Sequence, residues 1–488
     1  MKNPWGTWGP AAIGTPAALA ALLLSGLTPL TLATPAAAAP SRLSGDFNGD
    51  GFRDVAIAAP AATVSGLEWA GQVAVVNGTA KGLDPARRKL ISQNTPGVPG
   101  AAEEGDEFGS QLAVADLDRD GYSDLVIGTP WEKMGNSPDA GTVTVVWGSK
   151  NGLTGGTTIQ NPHPTPGGTY FGLSIAAADF TGDGKPDLAV SAQGDTGTAS
   201  WRIRLISGPF GRTGKTGKIS SYDPGIDKPA LTAGRVSGDA RADLVVTGQK
   251  PNQDRLATAV YYRGTATGLT RAAALRPAVT ATIGDLNKDG YGDIVLGNPM
   301  DRDNEPTAVL GGKIDVVYGT GAGPSPSRRV AYTQNTAGVP DTAEYGDGFG
   351  TALAIADFNR DGYGDLVIGA RGESFGTDYE PIGGGAITLL RGSRAGLTTS
   401  GTLQLTQDSA GVPGGSEFGD GFGARLLASD VTHDGRPDLT VMAVGENDGA
   451  GAAWFFPGAA AQGSTTFGPT AVGLPSAQGA SFGSDLAG

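Results

Sequence analysis

SFGSDLAG, Ser481 to Gly488, decides the fold, because the same opening recurs inside the chain and there runs straight on into an acidic loop. FGSQLAVADLDRDG starts at Phe108, FGTALAIADFNRDG at Phe349 and FGARLLASDVTHDG at Phe422. Phe108 lies 8 residues before Asp116, and the same count from Phe482 runs two positions past Gly488. Conversely, the first acidic loop begins at Asp46 with no Phe-Gly opening ahead of it. One repeat is therefore read as split between the two ends. A closed ring of sheets needs such a shared unit, because the last strand then completes the first sheet and leaves no open edge. An open solenoid needs no matched ends.

Seven segments align on the acidic loop: DFNGDGFRDVAIAAP from Asp46, DLDRDGYSDLVIGTP from Asp116, DFTGDGKPDLAVSAQ from Asp179, RVSGDARADLVVTGQ from Arg235, DLNKDGYGDIVLGNP from Asp285, DFNRDGYGDLVIGAR from Asp357 and DVTHDGRPDLTVMAV from Asp430. Their starts are 70, 63, 56, 50, 72 and 73 residues apart, the size of one propeller blade. Each unit holds a strand before the loop, a strand after it, a Gly-bounded apolar run such as GTVTVVWG (Gly141 to Gly148), and a fourth segment such as TGGTTIQ. The expectation is an all-β, seven-bladed β-propeller over residues 40–488, with N/C-terminal closure of the first blade.

Composition agrees with many short strands joined by turns: 81 Gly, 32 Pro and only 17% charged residues. Cysteine is absent, which excludes disulfides, thiolate zinc sites and a cysteine nucleophile. A net charge of -14 argues against nucleic acid and makes cations natural partners. Residues 1–39 read as a secretory signal, with Lys2, an Ala/Leu-rich segment and an A-x-A site at Ala37 and Ala39. Pro16, Gly26, Pro29 and Pro35 interrupt that segment, so no membrane span is expected after its removal. The mature chain is expected to be secreted and monomeric.

The pattern D-x-[DNT]-x-D-G-x-x-D places oxygen ligands at positions 1, 3, 5 and 9, with the position-7 carbonyl facing inward. In order of positions 1, 3, 5, 7 and 9, the six complete loops supply Asp46, Asn48, Asp50, Phe52 and Asp54; Asp116, Asp118, Asp120, Tyr122 and Asp124; Asp179, Thr181, Asp183, Lys185 and Asp187; Asp285, Asn287, Asp289, Tyr291 and Asp293; Asp357, Asn359, Asp361, Tyr363 and Asp365; Asp430, Thr432, Asp434, Arg436 and Asp438. Nineteen carboxylates packed this way repel one another unless a cation sits among them. Calcium, which takes six to eight oxygens in irregular geometry, suits them better than zinc or copper. Up to six ions are expected, whose +12 nearly cancels the chain's -14. The competing reading is a set of Asx-turns in tight hairpins. In the fourth repeat Arg235, Ser237 and Ala240 replace the first ligand, the second ligand and the Gly; no ion is expected there, and the Arg235 guanidinium should face Asp239 and Asp243 in its place.

Phe-Gly, the acidic loop and then IGTP (Ile127 to Pro130), LGNP (Leu296 to Pro299) or IAAP (Ile57 to Pro60) resemble the FG-GAP repeat of the integrin α-chain N-terminal propeller. The resemblance implies seven blades whose calcium loops join the first two strands, in a secreted bacterial-type relative. Departures are the missing Phe-Gly in units 4 and 5, which have KPALTAG and RPAVTATIG, and the missing proline after the second strand in units 3, 4, 6 and 7.

Signals of catalysis are sparse. His163 sits in a Pro-rich connector and His433 at a non-ligand loop position, and there is no G-x-S-x-G, HExxH or P-loop pattern. Function then falls to a propeller face. Loops between second and third strands carry Trp69, Trp131, Glu132, Glu373 and Tyr379, on the face away from the acidic hairpins. That face also carries three near-identical connectors, QNTPGVPGAAEEGDEFG from Gln93, QNTAGVPDTAEYGDGFG from Gln334 and QDSAGVPGGSEFGDGFG from Gln407, whose likeness favours a structural role with Asp106, Asp347 and Asp420 capping the turn before Phe-Gly. The reading is an extracellular recognition or adhesion module for a protein or glycan ligand; the alternative is an esterase- or glycosidase-like hydrolase using rim acids such as Glu132 or Glu104.

Overall fold

The computed structural model describes residues 41–488 apart from 164–167, 195–199, 304, 375–382 and 475–478. The expected signal segment and Tyr379 lie outside the described residues. Seven four-stranded antiparallel sheets follow one another around Pro40–Gly488. In strand order from first to fourth, blade I is Leu486–Ala487, Val55–Ala59, Gln72–Thr79 and Gly82–Ile91. Blade II is Gln111–Ala115, Asp124–Thr129, Thr142–Trp147 and Thr154–Gln160; blade III is Ile175–Ala178, Asp187–Gln193, Trp201–Ile206 and Ile219–Tyr222. Blade IV runs Asp227–Gly234, Asp243–Lys250, Gln253–Thr265, Gly268–Ala274, and blade V Thr280–Gly284, Asp293–Asn298, Lys313–Val317, Arg329–Tyr332. Blade VI is Phe349–Ala356, Asp365–Ala370, Ala386–Arg391 and Thr398–Leu405; blade VII is Phe422–Ser429, Asp438–Ala443, Ala452–Phe456 and Thr465–Phe467. The molecule is a seven-bladed β-propeller. Among the described residues no helix is long and apolar enough to cross a membrane.

The second strands, such as DLVIGT in blade II, are buried along their first five residues or more because a neighbouring blade covers each face. That is why they read as continuous apolar runs without alternation. Fourth strands lie at the sheet edge, and Thr398–Leu405 is accordingly exposed or half-buried at every position but Leu405.

The Phe-Gly opening is a blade-to-blade lock. The glycine that starts each of five third strands presses on the backbone of the next blade's phenylalanine: Gly71 on Phe108, Gly141 on Phe171, Gly312 on Phe349, Gly385 on Phe422 and Gly451 on Phe482. A Cβ there would sit 2.3–2.5 Å from the phenylalanine carbonyl oxygen, and φ is +73° to +91°, so only glycine fits. Each of those five phenylalanines is fully buried. Phe482 thus stands to blade VII as Phe108 stands to blade I.

Candidate functional site

The six acidic loops share one hydrogen-bond ladder. The position-1 aspartate accepts the N–H of the position-6 glycine at 2.7–3.0 Å in all six. The position-5 aspartate accepts the position-7 N–H at 2.8–3.0 Å, again in all six. These are Asx-type turns, and they aim carboxylates into the hairpin.

In blade II the arrangement fits a cation. One oxygen each from Asp116, Asp118 and Asp120 lies within 4.8 Å of the others, twice the 2.3–2.6 Å of a calcium–oxygen bond or less. Asp116 Oδ1 is moreover buried without a hydrogen-bond partner. Among the described residues this is the one loop in which three acidic side chains converge so closely. Every loop also has a basic side chain against a carboxylate: Arg87 on Asp50, Lys185 on Asp183, Arg328 on Asp289, Arg391 on Asp365 and Arg360 on Asp434, at 2.6–3.6 Å. In blade II that cation is Arg212 from blade III, whose Nε and Nη2 reach Asp118 and Asp120 at 2.6 and 2.8 Å.

Position 9 behaves differently from positions 1 to 5. Asp54, Asp124, Asp187, Asp243, Asp293, Asp365 and Asp438 are buried, and in all seven one oxygen accepts the N–H of a glycine closing the third strand, at 2.8–3.1 Å. In six, the other oxygen accepts an N–H from position 2 or 3 of its own loop; in blade VI it takes Arg391. These residues staple the hairpin to the sheet, and an ionised carboxylate still has two lone pairs free for a metal. Burial pushes Asp54, Asp124 and Asp293 up to about 7 despite those hydrogen bonds. The staple explains why the fourth repeat keeps Asp243 after losing positions 1 and 3.

The fourth repeat departs from expectation in one respect. Arg235 reaches the Asp239 backbone carbonyl at 3.4 Å, while the Asp239 carboxylate is held by Arg263 at 3.1 Å, with Arg241 at 3.7 Å. Arg263 lies on the blade's third strand next to Gly264, whose N–H is bonded to the loop's Asp243, so its side chain leaves the backbone beside the loop.

On the other face the three connectors are staples. Asp106, Asp347 and Asp420 each accept the N–H three residues earlier, at 2.6–2.7 Å. Gln93, Gln334 and Gln407 each donate a side-chain amide to a glutamate 39 residues on, Glu132, Glu373 and Glu446. Burial first, then the neighbouring aspartate, pushes Glu132 and Glu446 up to about 7 and Glu373 up to about 9.

Between blades II, III and IV the same face opens into a pocket of about 730 Å³. Trp131, Tyr170 and Trp201 line it from blades II and III; Asp223 lines it from the connector into blade IV, Asp227 and Lys228 from that blade's first strand and Asn252 from its hairpin. Tyr170 stacks on Trp201 at 6.2 Å between centroids and meets Trp131 edge-on at 6.3 Å. Trp131 was singled out from sequence as a loop aromatic. Tyr170 and Trp201 were missed, although comparing equivalent positions across repeats shows both as departures: the residue before Phe-Gly is Glu107, Gly348, Gly421 or Ser481 elsewhere.

Residues 43–76, 108–146, 171–200 and 349–390 match the FG-GAP repeat model. The chain carries FG-GAP repeats. The four matches fall on blades I, II, III and VI, and the common strand order extends the same build to blades IV, V and VII. Phosphatidylinositol-glycan-specific phospholipase D of Rattus norvegicus is 34% identical over 153 residues, 30% of this chain and 18% of that protein. Integrin alpha-IIb of Mus musculus is 33% identical over 163 residues, 33% of this chain and 15% of that one. A phosphatidylinositol-glycan-specific phospholipase D of Dictyostelium discoideum is 24% identical over 439 residues, 82% of this chain and 40% of its own length. The matched stretch spans less than a fifth of the first two relatives.

Proposed function

We propose that this FG-GAP propeller is a secreted, monomeric, calcium-stabilised module that recognises an extracellular protein or glycan through the face opposite its acidic loops. The observation that carries the reading is the aromatic-walled pocket on that face, the concave site with a few polar groups that small-molecule and side-chain recognition use. Exposed Trp69, Tyr345 and Phe418 on the same face add contact surface. Calcium belongs in the acidic loops, where Asp116, Asp118 and Asp120 converge, and its task there is to hold the hairpins. The remaining loops carry the same ladder and the same ligand pattern.

The test is capture of extracellular surface extract by the immobilised protein, with calcium and after chelation, for the wild type and for Trp131→Ala. Capture that the substitution weakens supports recognition through this face. Capture unaffected by Trp131→Ala, or none in any condition, overturns it.

A further inference from the structure

We propose that the pocket between blades II, III and IV binds a neutral sugar ring of an extracellular glycan, stacked on the wall made by Trp131, Tyr170 and Trp201. This rests on the recognition reading above and names the ligand class for that site.

Three residues that break the repeat build one wall. Trp131 follows the second strand of blade II, where the corresponding residues are Ala61 in blade I, Gly372 in blade VI and Gly445 in blade VII. Tyr170 precedes Phe-Gly in the left-handed conformation, φ +48°, that Glu107, Gly348, Gly421 and Ser481 share at the same place, and it alone there is aromatic. Trp201, 7% exposed, comes one residue before Arg202, the partner of Ala192, and so stands at the place held by Gly71, Gly141, Gly312, Gly385 and Gly451 in other blades. Structural necessity shared by all blades does not account for an aromatic at any of the three. Their convergence on one pocket does.

The geometry selects the ligand. With rings 6.2–6.3 Å apart and packed on each other, there is no gap between faces for an ammonium group, so the arrangement is a wall and not a cation cage. An aromatic surface, here Tyr170 stacked on the buried Trp201 with Trp131 edge-on beside it, suits the C–H face of a pyranose, which is apolar, while the ring's hydroxyls need donors and acceptors around the edge. Asp223, Asp227, Lys228 and Asn252 supply both kinds. Asp223 is ion-paired with Arg202 at 2.7 Å, and Asp227 and Lys228 are the other charged side chains lining the pocket among the described residues, so the lining is near neutral and gives an anionic sugar no advantage. The volume admits a small oligosaccharide segment.

The experiment is affinity electrophoresis of the full secreted chain through gels containing soluble neutral polysaccharides: galactomannan, xylan, mixed-linkage β-glucan and starch. Expected is retardation in at least one gel, weakened at least about tenfold in Trp131→Ala. Asp223→Ala, at an exposed side chain, should weaken it too, and thermal melts of both variants check folding. Retardation that neither folded variant changes overturns the proposal. So does an absence of retardation in all four gels. If surface-extract capture remains sensitive to Trp131→Ala while no gel retards the protein, the glycan assignment falls and the recognition face stands; if capture is absent as well, both fall.

Discussion

Leu486 pairs with Ile57, and the N–H of Gly483 donates to the Ala58 carbonyl at 2.8 Å, the counterpart of Gly109 donating to Gly128 in blade II at 3.1 Å. Asp485 extends the bond to the neighbouring blade, accepting Gln111 Nε2 at 2.6 Å and the Leu112 N–H at 2.7 Å. The C-terminal strand therefore holds blade I and touches blade II at once. It also fills the space between blades I and VII with Phe482, which packs among Val55, Ile57, Met442 and Phe467.

Deleting residues 479–488 should consequently destabilise the whole propeller. Loss of one buried phenylalanine alone costs about 3–5 kcal/mol, and the strand pairing adds to it. Phe482→Ala is expected to reproduce most of that loss with the chain otherwise intact. Equal melting temperatures for the deletion, the point variant and the wild type would show that these ten residues do not carry the ring.

Glu373 predicts a pH dependence with a definite sign. Its carboxyl is fully buried against Asp347 and pushed up to about 9, well above the ordinary 4.5 of an unfolded chain. The folded state therefore holds a proton that the unfolded state has released between those values. Its contribution to stability is complete below about pH 4.5 and is lost as pH rises through 9, with a slope of up to about 1.4 kcal/mol per pH unit. Glu132 and Glu446 add to the slope at lower pH, up to about 7. Glu373→Gln should flatten the stability profile between pH 7 and 9 and make the protein more stable than wild type at pH 9. Chemical denaturation across that range reads it directly, and a profile parallel to wild type would remove Glu373 as the cause.

Much of this architecture was legible because each blade repeats the same local solutions. The acidic loop, the glycine at its sixth position and the Gly-bounded third strand are short-range patterns, and their recurrence supplied the blade count. The shared opening at Phe482 supplied the pairing with blade I. What sequence did not show depends on contacts between repeats. Arg212 meets Asp118 across 94 residues, and nothing near either residue announces it. Arg235 looked like the natural partner of Asp239 because it stood in the ligand's place, yet a third-strand arginine lay nearer. The pocket wall escaped notice for the opposite reason: its residues are conspicuous only as exceptions to the repeat, and a search for what recurs passes over them.

Calcium should raise the melting temperature, and its removal by exhaustive chelation should lower it, since each site contributes about 2.7 kcal/mol at a hundredfold excess over its dissociation constant. Arg212 competes at blade II through two contacts of its guanidinium. Exposed pairs of this kind are worth up to about 1 kcal/mol each. Arg212→Gln is therefore expected to tighten calcium binding about three- to tenfold at one site, read by calorimetric titration. Weaker binding in the variant would mean that Arg212 supports the site and does not compete for it.

Position 5 and position 9 of the loop should separate cleanly by mutation. Asp120→Ala removes an aspartate from the convergent set and leaves one backbone N–H, that of Tyr122, without its acceptor in an exposed turn. Its cost without calcium should be small, about 0.5–1 kcal/mol, while one bound ion is lost. Asp243→Ala, in the repeat without a complete loop, strands the N–H groups of Val236, Ser237 and Gly264 in a buried setting. At about 1–3 kcal/mol for each unmet donor, the loss should reach about 3 kcal/mol or more with no change in calcium stoichiometry. Denaturation of both variants in chelator, paired with metal analysis in calcium, measures the two effects separately. A fall in bound calcium on Asp243→Ala in a folded protein would place an ion in the fourth repeat and end its assignment as a purely structural loop.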